Sequence, residues 1–445
     1  MTHYGLLCPP TTGHLNPMLA LGCELKQRGH QVTLFNILDT AAKAKAVEIN
    51  FWPLGRKEFP LGTLGNFYDH LGTLRGLAAF QTTLNFRQQV WATVFLQEAP
   101  AAIQAAGVEA LLVDHVIVAG GAIAERLSLP FVSLCSALLM QPDDSVPPFF
   151  AGWPYDPAPW TRLRNRFGHA LLVQYWRMVH QPVNEYRQMW RSPLYLNPSD
   201  ALSPLAQISH QPAEFEYPRQ YLAPYFHFTG PFHSTVSRET VSFPFEKLTS
   251  QPLIYASMGT LRNRSHRVFE QIAAACVGLD AQLVIALGKG LAPEALGALP
   301  GDPIVVGYAP QLELLQRATL AITHAGLNTA LESLQAGVPM VALPVTDDQP
   351  GVAARIEWTG AGEVVPKSRL TTARLRTAVQ QVLTCETYKQ NAVRLRQATA
   401  QAGGVTRAAD IVERAIATGK PVLTQDFSKP KPEPCAPLFN SLPSC

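Results

Sequence analysis

The chain has 445 residues, 47% of them hydrophobic and 16% charged, with a formal net charge of +3. This length suits two domains of ordinary size, each with its own core, and the apolar content excludes a disordered chain. So small a charge leaves no electrostatic footprint for nucleic acid, and no nucleic-acid partner is expected.

Short aliphatic runs alternate with longer helical patterns, which predicts a parallel α/β architecture. Residues 4–8 read as a first strand, followed by the loop 9–16 and a helix opened by Pro17 with Asn16 as its N-cap. Gly29 ends that helix, and residues 31–36 form the next strand. Further strands are expected at 110–113 and 131–134, whereas 141–225 reads as short helices and loops. A second α/β series begins near Pro252, with strands at 253–257, 282–287, 303–306, 320–323 and 340–343. Helices at 328–335, 351–359, 372–383 and 387–401 alternate with or follow them.

The implied organisation is a first α/β domain over 1–232, a linker over 233–250 and a second α/β domain over 251–402. A helix over 403–425 packs back on the first domain, and the proline-rich tail 426–445 is disordered. Cys8, Cys23, Cys135, Cys276, Cys385, Cys435 and Cys445 are dispersed, with no CxxC pair and no histidine cluster at metal-ligand spacing, so reduced thiols are expected. The first residues lack a basic leader, and the apolar stretch 110–124 is short and interrupted by Asp114 and His115. A cytoplasmic monomer is expected, with peripheral membrane association left open.

The most informative segment begins where a strand ends at Thr323 and His324-Ala325-Gly326 leads into a helix. Free N–H groups and the positive dipole end make such a start an anion site, and Gly326 permits close approach of a phosphate. His324, Asn328 and Thr329 add side-chain donors. Glu332, three residues beyond Thr329, shares its helix face and can accept ribose hydroxyls. Asp348 and Gln349 follow the next strand, where ligands gather in such sheets, and offer an acid and an amide to sugar hydroxyls. Each residue alone reads equally as a turn, cap or solvated group; the ordered set points to a nucleotide sugar.

This set resembles the donor-binding signature of the UDP-glycosyltransferase superfamily: aromatic-x-P-Q, T-H-x-G-x-N-[ST]-x-x-E, G-V-P, then D-Q. Tyr308-Ala309-Pro310-Gln311, Thr323 to Glu332, Gly337-Val338-Pro339 and Asp348-Gln349 supply it in order. Within that superfamily the phrasing is similar to the bacterial carotenoid (zeaxanthin) glucosyltransferases. The resemblance implies two facing Rossmann-like domains of GT-B type with the active site in the cleft between them. It implies a base stack on Tyr308 with Ala309 and Gln311 beside it. The diphosphate would lie on His324, Asn328 and Thr329, the ribose on Glu332 and the sugar on Asp348 and Gln349. Tyr308 stands where many members have Trp, which keeps the stack but loosens the choice between UDP and dTDP; Leu327 stands where Trp is frequent and Val352 where Asn is frequent, so some donor contacts are expected to differ. The terminal Gln349 points to glucose. The loop holding Ser257, Gly259 and Thr260 is a second phosphate contact in similar enzymes.

His14, in Gly13-His14-Leu15-Asn16-Pro17, suits the base that takes the acceptor hydroxyl proton, and a helix N-terminus there disfavours its cation. Asp114, at the end of a strand, is the candidate partner that orients the ring, whereas His115 is expected to point away. One base and no second nucleophile imply direct displacement with inversion. The resemblance implies no metal and no cofactor beyond the UDP-sugar co-substrate. Phe80, Phe86, Trp91, Phe149 and Trp153 are candidates for an apolar acceptor pocket, which suits a lipophilic alcohol such as a hydroxylated carotenoid. Arg162, Arg164 and Arg166 interleave with Trp160 and Phe167, a composition fitting either a solvated face or a membrane-surface patch. Two other readings are a UDP-N-acetylhexosamine 2-epimerase, which has no need of His14, and a sugar-nucleotide-binding protein without catalysis.

Overall fold

The computed structural model describes residues 1–74, 76–232, 241–259, 266–288 and 292–427. Thr260, the first part of the expected linker (233–240) and the tail from 428 lie outside the described residues, as do the side chains of Phe80 and Trp91.

Two parallel sheets organise the chain. The first contains β1 (His3–Leu7), β2 (Gln31–Asn36), β3 (Asn50–Pro53), β4 (Ala110–Asp114), β5 (Phe131–Cys135), β6 (Gln207–Ser209) and β7 (Phe226–Phe228), in the order β3-β2-β1-β4-β5-β6-β7. The second contains β8 (Leu253–Ser257), β9 (Gln282–Ala286), β10 (Ile304–Val306), β11 (Ala318–Thr323), β12 (Met340–Ala342) and β13 (Gly362–Val364), in the order β10-β9-β8-β11-β12-β13. Strands such as Leu253–Ser257 and Ala110–Asp114 are buried throughout because helices cover both faces of a parallel sheet.

On the first lobe lie α1 (Thr12–Gln27), α2 (Ala41–Ala46), α3 (Thr63–Thr73), α4 (Gly76–Gln88), α5 (Ala99–Ala105), α6 (Val118–Leu127) and α7 (Pro159–Met189). The second carries α8 (His266–Cys276), α9 (Gln311–Arg317), α10 (Leu327–Ala336), α11 (Gln349–Trp358), α12 (Thr372–Thr384) and α13 (Glu386–Gln401). The chain then returns: α14 (Gly404–Thr418) sets Ala408, Ile411, Val412 and Ala415 into the core of the first lobe beside Leu15 and Leu19.

Each sheet reverses strand order once, at β1/β4 and at β8/β11, the kind of crevice where doubly wound sheets bind ligands. The lobes are sealed together by a buried contact. Arg355 of α11 is bonded to Glu216 at 2.5 Å, with Arg219 3.5 Å from the same carboxylate. The Arg355 guanidinium lies 4.3 Å from the centroid of Tyr217, and Tyr155, Tyr217 and Trp358 pack ring against ring around it.

The structure corrects the sequence reading in three places. Helix α1 begins at Thr12, with Thr11 at the N-cap position, so His14 lies in its first turn and Pro17 inside it. The segment 141–225 holds the 31-residue helix α7, hidden because apolar residues occupy two opposite faces and blur the 3.6-residue period. Cys385 is disulfide-bonded, whereas Cys8, Cys23, Cys135 and Cys276 are free and buried.

Candidate active site

Strand β1 delivers the chain to α1, and β4 ends on Asp114, so His14 and Asp114 meet at the first switch point. His14 Nδ1 lies 2.9 Å from Asp114 Oδ2. Ser136, just past β5, places its hydroxyl 2.7 Å from His14 Nδ1 and donates to the same Asp114 oxygen. Asp114 Oδ1 accepts the Val116 N–H at 3.0 Å, so both oxygens are satisfied and the carboxylate is fixed. The proton thus belongs on Nδ1, which leaves the Nε2 lone pair as the basic site.

Asp114 is fully buried and His14 about a fifth exposed. Burial works against the charge on His14, yet the Asp114 carboxylate, and then Asp348 from the other lobe, carry its pKa above the ordinary 6.5. The carboxylates therefore outweigh burial and Arg87, so the ring is not held neutral as the sequence reading expected. Burial likewise opposes ionisation of Asp114, but the His14 ring beside it holds its pKa below the usual range.

Across the cleft, Ser257 ends β8 and His324 follows β11, adjacent strands in register at the second switch point. A Cβ added to Gly259 would come within 2.6 Å of His324 Nε2, and one added to Gly326 within 2.5 Å, so only glycine allows the ring to lie there. Burial pushes the pKa of His324 down to about 4, which makes it a neutral hydrogen-bonding group. Gly326 is the N-cap of α10, and Asn328 and Thr329 sit in that helix's first turn. Ala325 (φ 62°) and Asp347 (φ 56°) hold left-handed backbone in the loops leaving β11 and β12, which turns both loops sharply toward the cleft.

Buried Glu332 accepts from Gln311 Nε2 at 2.5 Å. Gln311 also reaches Thr329 Oγ1 at 3.4 Å and accepts from the Tyr255 hydroxyl at 3.0 Å. Tyr308 is 37% exposed, and Ala309 beside it is buried. Gln349 turns its amide oxygen back to the N–H groups of Val345 (2.9 Å) and Thr346 (3.1 Å), leaving the NH₂ for other partners. Burial, and then its neighbour Asp347, raise the Asp348 pKa to about 6.

The two halves of the site also touch directly. Asn328 Nδ2 donates to the Gly13 carbonyl at 2.9 Å. In an unbroken helix that carbonyl would receive the N–H of residue 17, but Pro17 has none, so the oxygen is available to the other lobe. Nearby, Arg87 bonds the Tyr175 hydroxyl at 2.7 Å and approaches Asp347 at 3.8 Å across the cleft.

Of the aromatic residues named for the acceptor, three have described side chains, and Phe86 and Phe149 both pack against the core of the first lobe. Phe86 stacks on Phe67 at 3.8 Å, Phe149 packs against the cores of both lobes, and Trp153 lies under Arg164 at 5.0 Å. His115 is buried and held at a pKa of about 4 by desolvation. It lines a small cavity with Cys135, Leu139, Met140, Gln141, Trp176, Pro198 and Leu202. His115 Nε2, Gln141 Oε1 and Trp176 Nε1 have no hydrogen-bond partner among the described residues. Sequence reasoning missed Ser136, Arg87, Tyr255 and the acceptor role of Gly13. A serine directly after the strand that pairs with β4 was the available signal for Ser136.

Among the described residues, no group of three or more His, Cys, Asp or Glu is placed to hold a metal ion. No helix among them is long and apolar enough to cross a membrane.

Two facing Rossmann-like lobes, each presenting polar side chains at its switch point, have the architecture of a GT-B glycosyltransferase. Residues 14–400 match the family model described as UDP-glucoronosyl and UDP-glucosyl transferase, and the chain belongs to that family. It is 32% identical over 433 residues to the zeaxanthin glucosyltransferase of Pantoea ananas, covering 95% of this chain and 98% of that one. The zeaxanthin glucosyltransferase of Pseudescherichia vulneris is 33% identical, covering 95% of this chain and 100% of that one. The fold is similar to that of a kitacinnamycin glycosyltransferase, with a TM-score of 0.74 at 21% identity over 93% of this chain and 99% of that one. A calicheamicin glycosyltransferase gives 0.71 at 22%, over 95% and 100%.

Proposed function

We propose that the protein transfers glucose from UDP-glucose to a hydroxyl of a lipophilic small molecule, such as a hydroxylated carotenoid, with inversion at the anomeric carbon. The single observation that carries this reading is the His14–Asp114–Ser136 cluster facing Asp348 and the start of α10 across the cleft. The relatives whose names specify zeaxanthin support the acceptor class.

In this mechanism His14 Nε2 removes the acceptor hydroxyl proton as the acceptor oxygen bonds to the anomeric carbon. The bond from that carbon to the diphosphate oxygen breaks, and its electron pair leaves with UDP. Asp114 stabilises the imidazolium that forms. Free N–H groups at the start of α10, together with His324 and the side chains of Asn328 and Thr329, receive the diphosphate charge, with no metal in the step. Ser257 and Gly259 form the opposite wall of that pocket. Glu332 holds the ribose, Asp348 and the Gln349 NH₂ hold the glucose hydroxyls, and Tyr308 stacks on the base. Attack by one nucleophile on the face opposite the leaving group turns an α-linked donor into a β-glycoside. The protein works as a monomer, peripheral to a membrane.

The test is incubation with UDP-glucose, dTDP-glucose and UDP-galactose against a panel of hydroxylated lipids, with product mass and anomeric coupling read out. A β-glucoside formed best from UDP-glucose and a lipophilic alcohol is the expected product. Donor hydrolysis or epimerisation without transfer to any acceptor would overturn the reading.

A further inference from the structure

Helix α7 has two apolar faces, and the fold uses only one. Leu172, Trp176, Val179 and Val183 are buried against the first lobe. On the opposite face Trp160, Leu163, Phe167, Leu171 and Met178 are 63%, 73%, 65%, 53% and 42% exposed. Their spacings of three, four, four and seven residues place them on a single stripe. Contiguous apolar surface of this kind on a protein in water marks an interaction site.

The charge beside the stripe identifies the partner. Residues 157–184 contain four arginines and no aspartate or glutamate. Arg162 and Arg166 are exposed, and Arg164 lies 5.0 Å from the Trp153 ring and 5.7 Å from the Trp160 ring. Long cationic side chains beside an apolar stripe, with an indole at one end, match a surface of acyl chains beneath anionic headgroups.

We propose that α7 is an in-plane docking helix for an anionic lipid bilayer, with the stripe at the acyl boundary and the arginines at the headgroup phosphates. The helix packs on α4, whose Arg87 bonds Tyr175 of α7 and approaches Asp347 in the cleft. Docking therefore places the membrane one helix layer from the reaction site. The docking surface stands on α7 alone; delivery of an acceptor from the bilayer rests on the lipophilic substrate proposed above.

The experiment is flotation of the full-length protein with phosphatidylcholine vesicles, with and without phosphatidylglycerol. Wild type is expected to float with the anionic vesicles, and the double variant Phe167→Glu/Leu171→Glu to lose about 10-fold or more of that partition. Arg162→Glu/Arg166→Glu is expected to abolish the preference for anionic over neutral vesicles. Far-ultraviolet circular dichroism matching wild type checks that both variants are folded. Wild type remaining with the supernatant, or either variant floating as wild type does, overturns the proposal. So does a dimer at sedimentation equilibrium that Phe167→Glu/Leu171→Glu abolishes while vesicles bind nothing, because the stripe then belongs to a second copy. Vesicle binding with no transfer to any lipophilic alcohol keeps this proposal and removes the substrate reading instead.

Discussion

The two lobes meet in two chemically different ways. At the back, Arg355 and Glu216 form an ion pair inside a cage of Tyr155, Tyr217 and Trp358, where both charges are almost completely shielded from water. At the cleft, among the described residues, the lobes meet through the hydrogen bond from Asn328 to the Gly13 carbonyl, a hydrogen bond from the Leu138 backbone to Asp348 and the long Arg87–Asp347 approach. A buried pair loses heavily if either partner moves away, so the back contact acts as a pivot. The cleft contacts are partly wet and individually weak, so they hold the lobes together less firmly than the buried seam does.

Substitutions test that division. His14→Ala, on the cleft side, should lower kcat by roughly 10²–10⁴-fold, the usual contribution of a positioned base, with little change in the donor KM. Retention of full transfer activity would remove His14 from the mechanism. Arg355→Ala leaves buried Glu216 with Arg219 and Gln211 as side-chain partners, so the loss in urea unfolding should be measurable but below the about 3–5 kcal/mol of a fully orphaned charge. If its midpoint matches wild type, the seam is not the pivot. Asp348→Asn and Glu332→Gln each exchange a charged acceptor for a neutral one. Donor KM should rise about 10- to 100-fold, as expected for one charge-assisted hydrogen bond worth about 1.5–3 kcal/mol.

The pH profile gives a further measure. The base must be neutral to act, and its pKa is raised above 6.5, so the acid limb of kcat/KM should lie above that value. Asp348 adds to the fall as it protonates near pH 6. Asp114→Asn removes the strongest influence raising the histidine pKa, so the limb should move to lower pH while the rate at neutral pH drops. A limb that stays in place would separate Asp114 from His14. The smallest effect belongs to Pro17→Ala. Its restored N–H competes for the Gly13 carbonyl, and the donor KM should change by about 2- to 10-fold, the worth of one neutral hydrogen bond. An unchanged KM would mean that the Asn328 contact does not influence donor binding.

Much of the second lobe was legible because its functional groups are consecutive. Thr323 through Gln349 spans one strand, one helix and the next strand, and local geometry alone brings Gly326, Asn328, Thr329 and Glu332 to one end and one face of α10. The first lobe was less legible because its site is assembled from residues 14, 114 and 136 on separate elements. Histidine and aspartate stood out by chemistry and position, whereas Ser136 had nothing local to distinguish it. Helix α7 was unreadable for a related reason: apolar residues on both faces cancel the periodicity on which recognition of a helix depends.

The amino-acid sequence by itself determined the α/β alternation, which follows from periodicity, and singled out the candidate donor-side set and His14 with Asp114 by residue chemistry and position. Only the tertiary structure decided the rest. It turned Pro17 from a helix opener into the reason a carbonyl is free to meet Asn328. It raised the His14 pKa, because Asp114 and Asp348 converge on the ring from different lobes. It also separated the two faces of α7 into one that builds the core and one left to the surface. Each outcome depends on which distant groups become neighbours, and sequence spacing alone carries no record of that.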